Sequence, residues 1–100
     1  MKTLYLCGAS NPEGVRLAQV VNRVMGRWER IVLLDDDASR HGQCILGVDV
    51  AGAFETLAGA DPRTSEVANL VARTTKKRRA AGARIEAHGL PSASLVDPDG

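Results

Sequence analysis

Gly8 and Gly14 bracket a run of small and polar residues, Ala9-Ser10-Asn11-Pro12-Glu13, directly after the apolar run Leu4-Tyr5-Leu6-Cys7. A glycine turn between a strand and a helix aims backbone N–H groups and a positive helix terminus at an anion. The chemistry open to Gly8, Ala9, Ser10, Asn11 and Gly14 is therefore phosphate binding. The spacing meets neither familiar fingerprint. A dinucleotide loop, G-x-G-x-x-G, needs a glycine where Ser10 or Asn11 stands. A Walker loop needs its glycines one residue closer than Gly8 and Gly14, followed by Lys-Ser/Thr, and here Val15-Arg16 follows. The same residues also serve as a plain connection between two elements, and spacing alone does not choose.

Asp35-Asp36-Asp37 close a second apolar run, Ile31 to Leu34. Asp35 falls roughly twenty residues after Gly14, the separation at which an acid in nucleotide-binding α/β folds meets a ribose hydroxyl. Three consecutive aspartates also describe a solvated acidic turn. No neighbouring His or Glu completes a metal-ligand set, so no metal is expected. The third cluster is Arg73-Thr74-Thr75-Lys76-Lys77-Arg78-Arg79. Cations in the first turn of a helix oppose its macrodipole, so an anionic ligand near Arg73, Thr74 and Arg78 is one reason for them and a wet helix face is another. His41 and His88 have no Ser, Cys or carboxylate at triad spacing and read as surface residues. Cys7 reads as a packing residue. No catalytic residue is assigned.

These candidates need elements to hold them. Pro12 suits a first helical position with Asn11 as cap, and Ser10 with Glu13 would instead make a capping box. Leu17, Val20, Val21 and Val24, beside Ala18 and Met25, then predict a helix that Gly26 stops. Ile31 to Leu34 predicts a buried strand parallel to one over residues 3–7. Cys44 to Val50, broken by Gly47 and Asp49, predicts a short strand or turn. Phe54 and Leu57 predict a brief helix before the Asp61-Pro62 turn. Val67 to Ala72 predicts a third strand, followed by a helix from Thr74 or Thr75 to about His88, ended by Gly89 and Pro91. Ser94 to Val96 predicts a last short strand. The alternation makes a small Rossmann-like α/β domain of three layers, with a mostly parallel sheet and the first strand inside it. Ligands of such sheets lie outside the carboxyl ends of the strands, where the clusters above fall.

At 100 residues and a net charge of +1 the chain is one small domain, burying about 60–65% of its unfolded surface. That charge argues against nucleic acid or a membrane as a charge-driven partner. No apolar run reaches the length of a membrane span. The chain enters strand-like sequence at once after Met1, so a signal peptide is not expected. Cys7 and Cys44 then read as reduced thiols in a cytoplasmic protein.

The segments YLCGAS, IVLLDDD and ILGV with Gly52, together with EVANLVARTTKKR and GLPSASLVDPDG, resemble one family in order over nearly the whole chain. It is the N-terminal domain of bacterial sugar O-/N-acyltransferases related to sialic acid O-acetyltransferase. The resemblance implies that Gly8, Ala9 and Ser10 form the phosphate-facing turn and that Asp35 and Asp36 face a uridine. It also implies a nucleotide-sugar acceptor, a following left-handed β-helix of hexapeptide repeats that binds acetyl-CoA, a catalytic histidine in that later domain, and a homotrimer. Asn11-Pro12-Glu13-Gly14 stands where the family pattern has Gly-His-Gly. On this expectation residues 1–96 are the nucleotide-sugar-binding domain and 97–100 open the β-helix, with no cofactor held by these 100 residues. Two other functions fit the residues: an NAD(P)-binding domain of an oxidoreductase, and a non-catalytic regulatory or interaction module.

Overall fold

In the computed structural model, which describes residues 2–9, 12–70 and 75–93 and only the backbone of Thr75, Lys77, Arg78 and Ala81, the unbroken apolar runs become the interior of one sheet. β1 (Thr3–Cys7), β2 (Arg30–Leu34) and β5 (Ser65–Asn69) are parallel, with Leu6 opposite Leu33 on one side and Ala68 on the other. β3 (Cys44–Ile45) and β4 (Val48–Gly52) form a hairpin, and β4 joins β2 in parallel through an irregularity between Leu33 and Leu34. The order is β3-β4-β2-β1-β5. β1 thus has a parallel neighbour on each side, as the sequence predicts.

A parallel sheet must be covered on both faces, and the alternation of side chains assigns each face its partner. Leu4, Leu6 and Leu33 pack with Val15, Ala18 and Val21 of α1 (Pro12–Met25). Cys7, Val32, Leu34 and Val67 pack with Phe54 and Leu57 of the 3₁₀ segment Phe54–Gly59 and with Ile85 of α2 (Thr75–Glu86). The result is the three-layer α/β domain that the periodicity implies. Both helical segments predicted after Gly52 and after Thr74 are present.

The bounds of β5 and the last turn of α1 differ from expectation. β5 starts at Ser65 rather than Val67 and ends at Asn69. Its polar opening is tolerated because Glu66, buried in the sheet, accepts from Trp28 Nε1 at 2.9 Å and from Arg27 at 3.2 Å, with Lys2 Nζ at 3.8 Å. Val24 and Met25 are 60% and 62% exposed, not core. The buried line Val15–Ala18–Val21 advances in threes, each step about 60° short of a full turn, so the next member of the series has rotated off the face. The strand predicted over Ser94 to Val96 and the boundary at 97 lie outside the described residues. Just before them Ser92 forms a parallel bridge with Val67, and Ala93 N–H donates to the Val67 carbonyl at 2.8 Å.

Candidate functional site

The carboxyl ends of β1 and β2 are joined by a net of backbone bonds that starts at Gly8. Its φ of 118° is open to glycine and strained for other residues, and it lets the chain turn while Gly8 N–H still donates to the Leu34 carbonyl at 2.8 Å. Leu70 N–H extends the ladder on the other side, donating to the Cys7 carbonyl at 2.8 Å. The next N–H, of buried Ala9, donates to Asp35 Oδ2 at 2.9 Å. Asp35 Oδ1 accepts from Asp37 N–H at 2.8 Å. The Asp35 carboxylate therefore ties the glycine turn to the loop after β2, using both oxygens.

Asp36 and Asp37 divide the remaining work. Asp37 caps the 3₁₀ turn Ala38–Arg40, accepting from Ser39 Oγ at 2.6 Å and Ser39 N–H at 3.0 Å, and these bonds hold its carboxyl below the ordinary range. Asp36 Oδ1 accepts from Phe54 N–H at 3.0 Å, and Oδ2 accepts from the Arg84 guanidinium. Burial pushes the Asp36 carboxyl up, but the Phe54 bond and the bond and charge of Arg84 together outweigh it, so the carboxyl titrates below its usual value. The Arg84 guanidinium also lies over the Phe54 ring, 5.3 Å from its centroid. His41 Nε2 lies 2.6 Å from the Asp35 carbonyl oxygen; since a carbonyl only accepts, that nitrogen carries the proton. Arg40 Nε stands 3.7 Å from Asp37 and 3.9 Å from Asp35.

Of the residues singled out in the sequence, Gly8, Ala9, Asp35 and Asp36 meet at this edge, and Gly14 lies in the first turn of α1 above it. Ser10, Asn11, Arg73 and Thr74 lie outside the described residues, and Arg78 is described only as a member of α2. Glu13, whose charge opposes a phosphate at the turn, is engaged by Arg16 at 3.2 Å. Nothing in the sequence singles out Arg84. It sits in an alanine-rich stretch late in α2, 48 residues from Asp36, and only the packing of α2 beside Phe54–Gly59 brings it to the edge.

The edge offers binding chemistry in its carboxylate acceptors and guanidinium groups, while the N–H groups of Gly8 and Ala9 and the ring N–H of His41 are already engaged within the protein. It does not offer an activated thiol. Cys7 is buried, and burial together with the nearby Asp36 charge pushes its thiol up to about 12.

No protein-family model and no curated protein matches the chain. Solved structures do. The acetyltransferase domain of PglB from Neisseria gonorrhoeae, in complex with acetyl coenzyme A, is 24% identical with a TM-score of 0.76, over 98% of this chain and 45% of that one. The same domain described without that ligand matches at 24% and 0.76, over 99% and 46%. A probable aspartate-semialdehyde dehydrogenase from Pseudomonas aeruginosa matches at 17% and 0.56, over 97% and 29%. The chain shares its fold with part of an acetyltransferase domain. It spans a little under half the length of that domain.

Among the described residues, no three His, Cys, Asp or Glu side chains are grouped as metal ligands, and no helix is long and apolar enough to cross a membrane. A cavity of about 250 Å³ opens between β5 and α2, lined by Asn69, Gly82, Ile85, Glu86 and Ser92. It is smaller than the roughly 300–1,000 Å³ of sites that engulf a drug-sized ligand, and so has no room for a whole acetyl coenzyme A.

Proposed function

We propose that this chain is the acceptor-binding part of a sugar acetyltransferase and holds a nucleotide sugar across the carboxyl ends of β1, β2 and β5. The observation that carries the reading is the match to the PglB acetyltransferase domain over nearly all of this chain at a TM-score of 0.76. The glycine turn and the aspartates of the site described above give it a chemical basis. The positive N-terminus of α1, which starts just after the glycine turn, suits a diphosphate. The carboxylates of Asp35 and Asp36 suit ribose hydroxyls or the N–H of a uracil edge.

In the complete enzyme, on this reading, a following domain that opens at 97 is a β-helix of hexapeptide repeats that binds acetyl-CoA and assembles as a homotrimer in the cytoplasm. Acetyl-CoA supplies a thioester whose acyl carbon is attacked by an amine or hydroxyl of the sugar, with loss of the thiol. The part played by this chain is positional: by fixing diphosphate and nucleoside it presents the sugar at a constant place and angle, lowering the entropic cost of the encounter. The likeness to a dehydrogenase fold favours a second reading, in which the same edge holds a nicotinamide dinucleotide.

Titration calorimetry of UDP, a UDP-sugar and NAD against the chain decides between them. Weak binding of UDP and the UDP-sugar, in the micromolar to millimolar range, with none of NAD is the expected result. A preference for NAD, or no uridine nucleotide bound at all, would overturn the acceptor role. Asp35→Asn is the milder variant, since its one oxygen can keep the Ala9 N–H bond although its NH2 then faces the Asp37 N–H, whereas Asp35→Ala removes both acceptors and loosens the turn itself.

A further inference from the structure

We infer that Arg84 is an anion-binding residue held in reserve by Asp36, and that a diphosphate entering the strand-end crevice takes Arg84 over from that carboxylate. The inference deepens the proposed nucleotide-sugar site, on which it rests for the identity of the natural ligand.

Three observations converge on Arg84. It brings a second guanidinium, besides Arg40, to an edge where Asp35, Asp36 and Asp37 follow β2. The pair it forms with Asp36 is accessible: the two side chains are 52% and 34% exposed, so water and solutes reach the contact. Exposed ion pairs are weakly held, and a doubly charged phosphate group offering two oxygens to a planar guanidinium is a stronger partner than one carboxylate oxygen. The stem is also steadied independently of the carboxylate. Stacked over Phe54, the guanidinium has a platform on which it can rotate between partners without leaving the edge.

Asp36 has a second tie as well. Its Oδ1 stays on Phe54 N–H, so losing Arg84 from Oδ2 does not release the side chain. Instead it exposes an acceptor oxygen at the end of β2, two residues beyond Leu34, whose carbonyl accepts from the Gly8 N–H. One exchange thus prepares both halves of a nucleotide site, a cation for phosphate and an acceptor for an N–H or O–H donor. A ligand that carries only one of these groups gains only one of the contacts. Arg84 is in this sense a specificity residue, and the sequence-adjacent basic run at 73–79 is not required for it.

The test separates Arg84 from general charge by a double-mutant cycle, read as the affinity for inorganic pyrophosphate in titration calorimetry. Asp36→Asn keeps an Oδ1 acceptor for Phe54 while removing the charge that retains Arg84. It should bind pyrophosphate about two- to fivefold more tightly than wild type, the range set by an exposed ion pair. In the Arg84→Gln background the same substitution should give a clearly smaller gain. An equal gain in both backgrounds, or no pyrophosphate binding at millimolar concentration by Asp36→Asn, overturns the inference. Circular dichroism establishes that each variant is folded, and Arg84→Met, which removes the charge but keeps an apolar stem against Phe54, replaces Arg84→Gln if that variant does not fold. Because pyrophosphate carries no nucleoside, failure of wild type to bind UDP would defeat the acceptor role and leave this outcome readable by itself.

Discussion

Glu66 shows how much a single buried carboxylate decides. It lies inside the sheet with a side chain only 9% exposed, yet three donors from Lys2, Arg27 and Trp28 surround it. Removing one partner of such a group leaves the others desolvated and unmatched. Glu66→Gln should therefore destabilise the fold by about 1–3 kcal/mol in urea denaturation, with Trp28 fluorescence as the probe. A loss below a few tenths would mean that the cluster contributes packing alone. The two thiols make an opposite pair. Cys44 is exposed and should react with a thiol reagent in the native protein, whereas Cys7 should react only after unfolding. Burial and Asp36 raise the Cys7 pKa from 9.0 to about 12, so the unfolded chain ionises first as pH rises. Stability from this group is full below pH 9 and falls toward pH 12, and Cys7→Ala should flatten the alkaline limb of a stability–pH profile.

The element that the sequence disguises is the β3–β4 hairpin. Its turn is Leu46-Gly47, with φ of 52° and 85°, the left-handed pair that usually carries Asn-Gly. A leucine there reads as part of an apolar run rather than as a turn, so the sequence predicts only a short strand or turn over Cys44 to Val50. Leu46 is 53% exposed and gives little burial in return, while Gln19 Nε2 of α1 donates to its carbonyl at 2.7 Å and pins the tip. Leu46→Asn should raise stability by about 1 kcal/mol by relieving the left-handed strain without touching that bond. Thermal melting checks the sign: a lower Tm would show that the Leu46 side chain packs to more effect than its exposure implies.

At the scale of the whole molecule, the proposed function rests on one edge of the sheet. That edge gathers donors and acceptors but places its buried cysteine out of use as a thiolate. Incubated with acetyl-CoA and an amino-sugar acceptor, these 100 residues alone should release no thiol above the uncatalysed rate. Release that depends on the chain would place the transfer chemistry here rather than in a following domain. The exposed Val24 and Met25 at the end of α1 stand apart from this edge and have no role in the proposal.

What the sequence determined by itself was set by local pattern. Apolar runs of four or five residues between helical periods dictate buried parallel strands, because only a sheet covered on both faces hides such runs. Gly8 and Gly26 mark a turn and a helix stop through backbone freedom that neighbours do not alter. Asp35 and Asp36 are legible as strand-end acids for the same reason. Their partners are not. The bonds from Ala9 to Asp35, from Phe54 and Arg84 to Asp36, and from Trp28 to Glu66 join residues 18 to 48 positions apart. No periodicity spans such distances; the crossovers and packing of the two layers bring these groups within reach. Tertiary structure alone made Glu66 a core residue and Arg84 a partner of Asp36, because a charge is tolerated where its partners converge and not where its neighbours in sequence happen to lie.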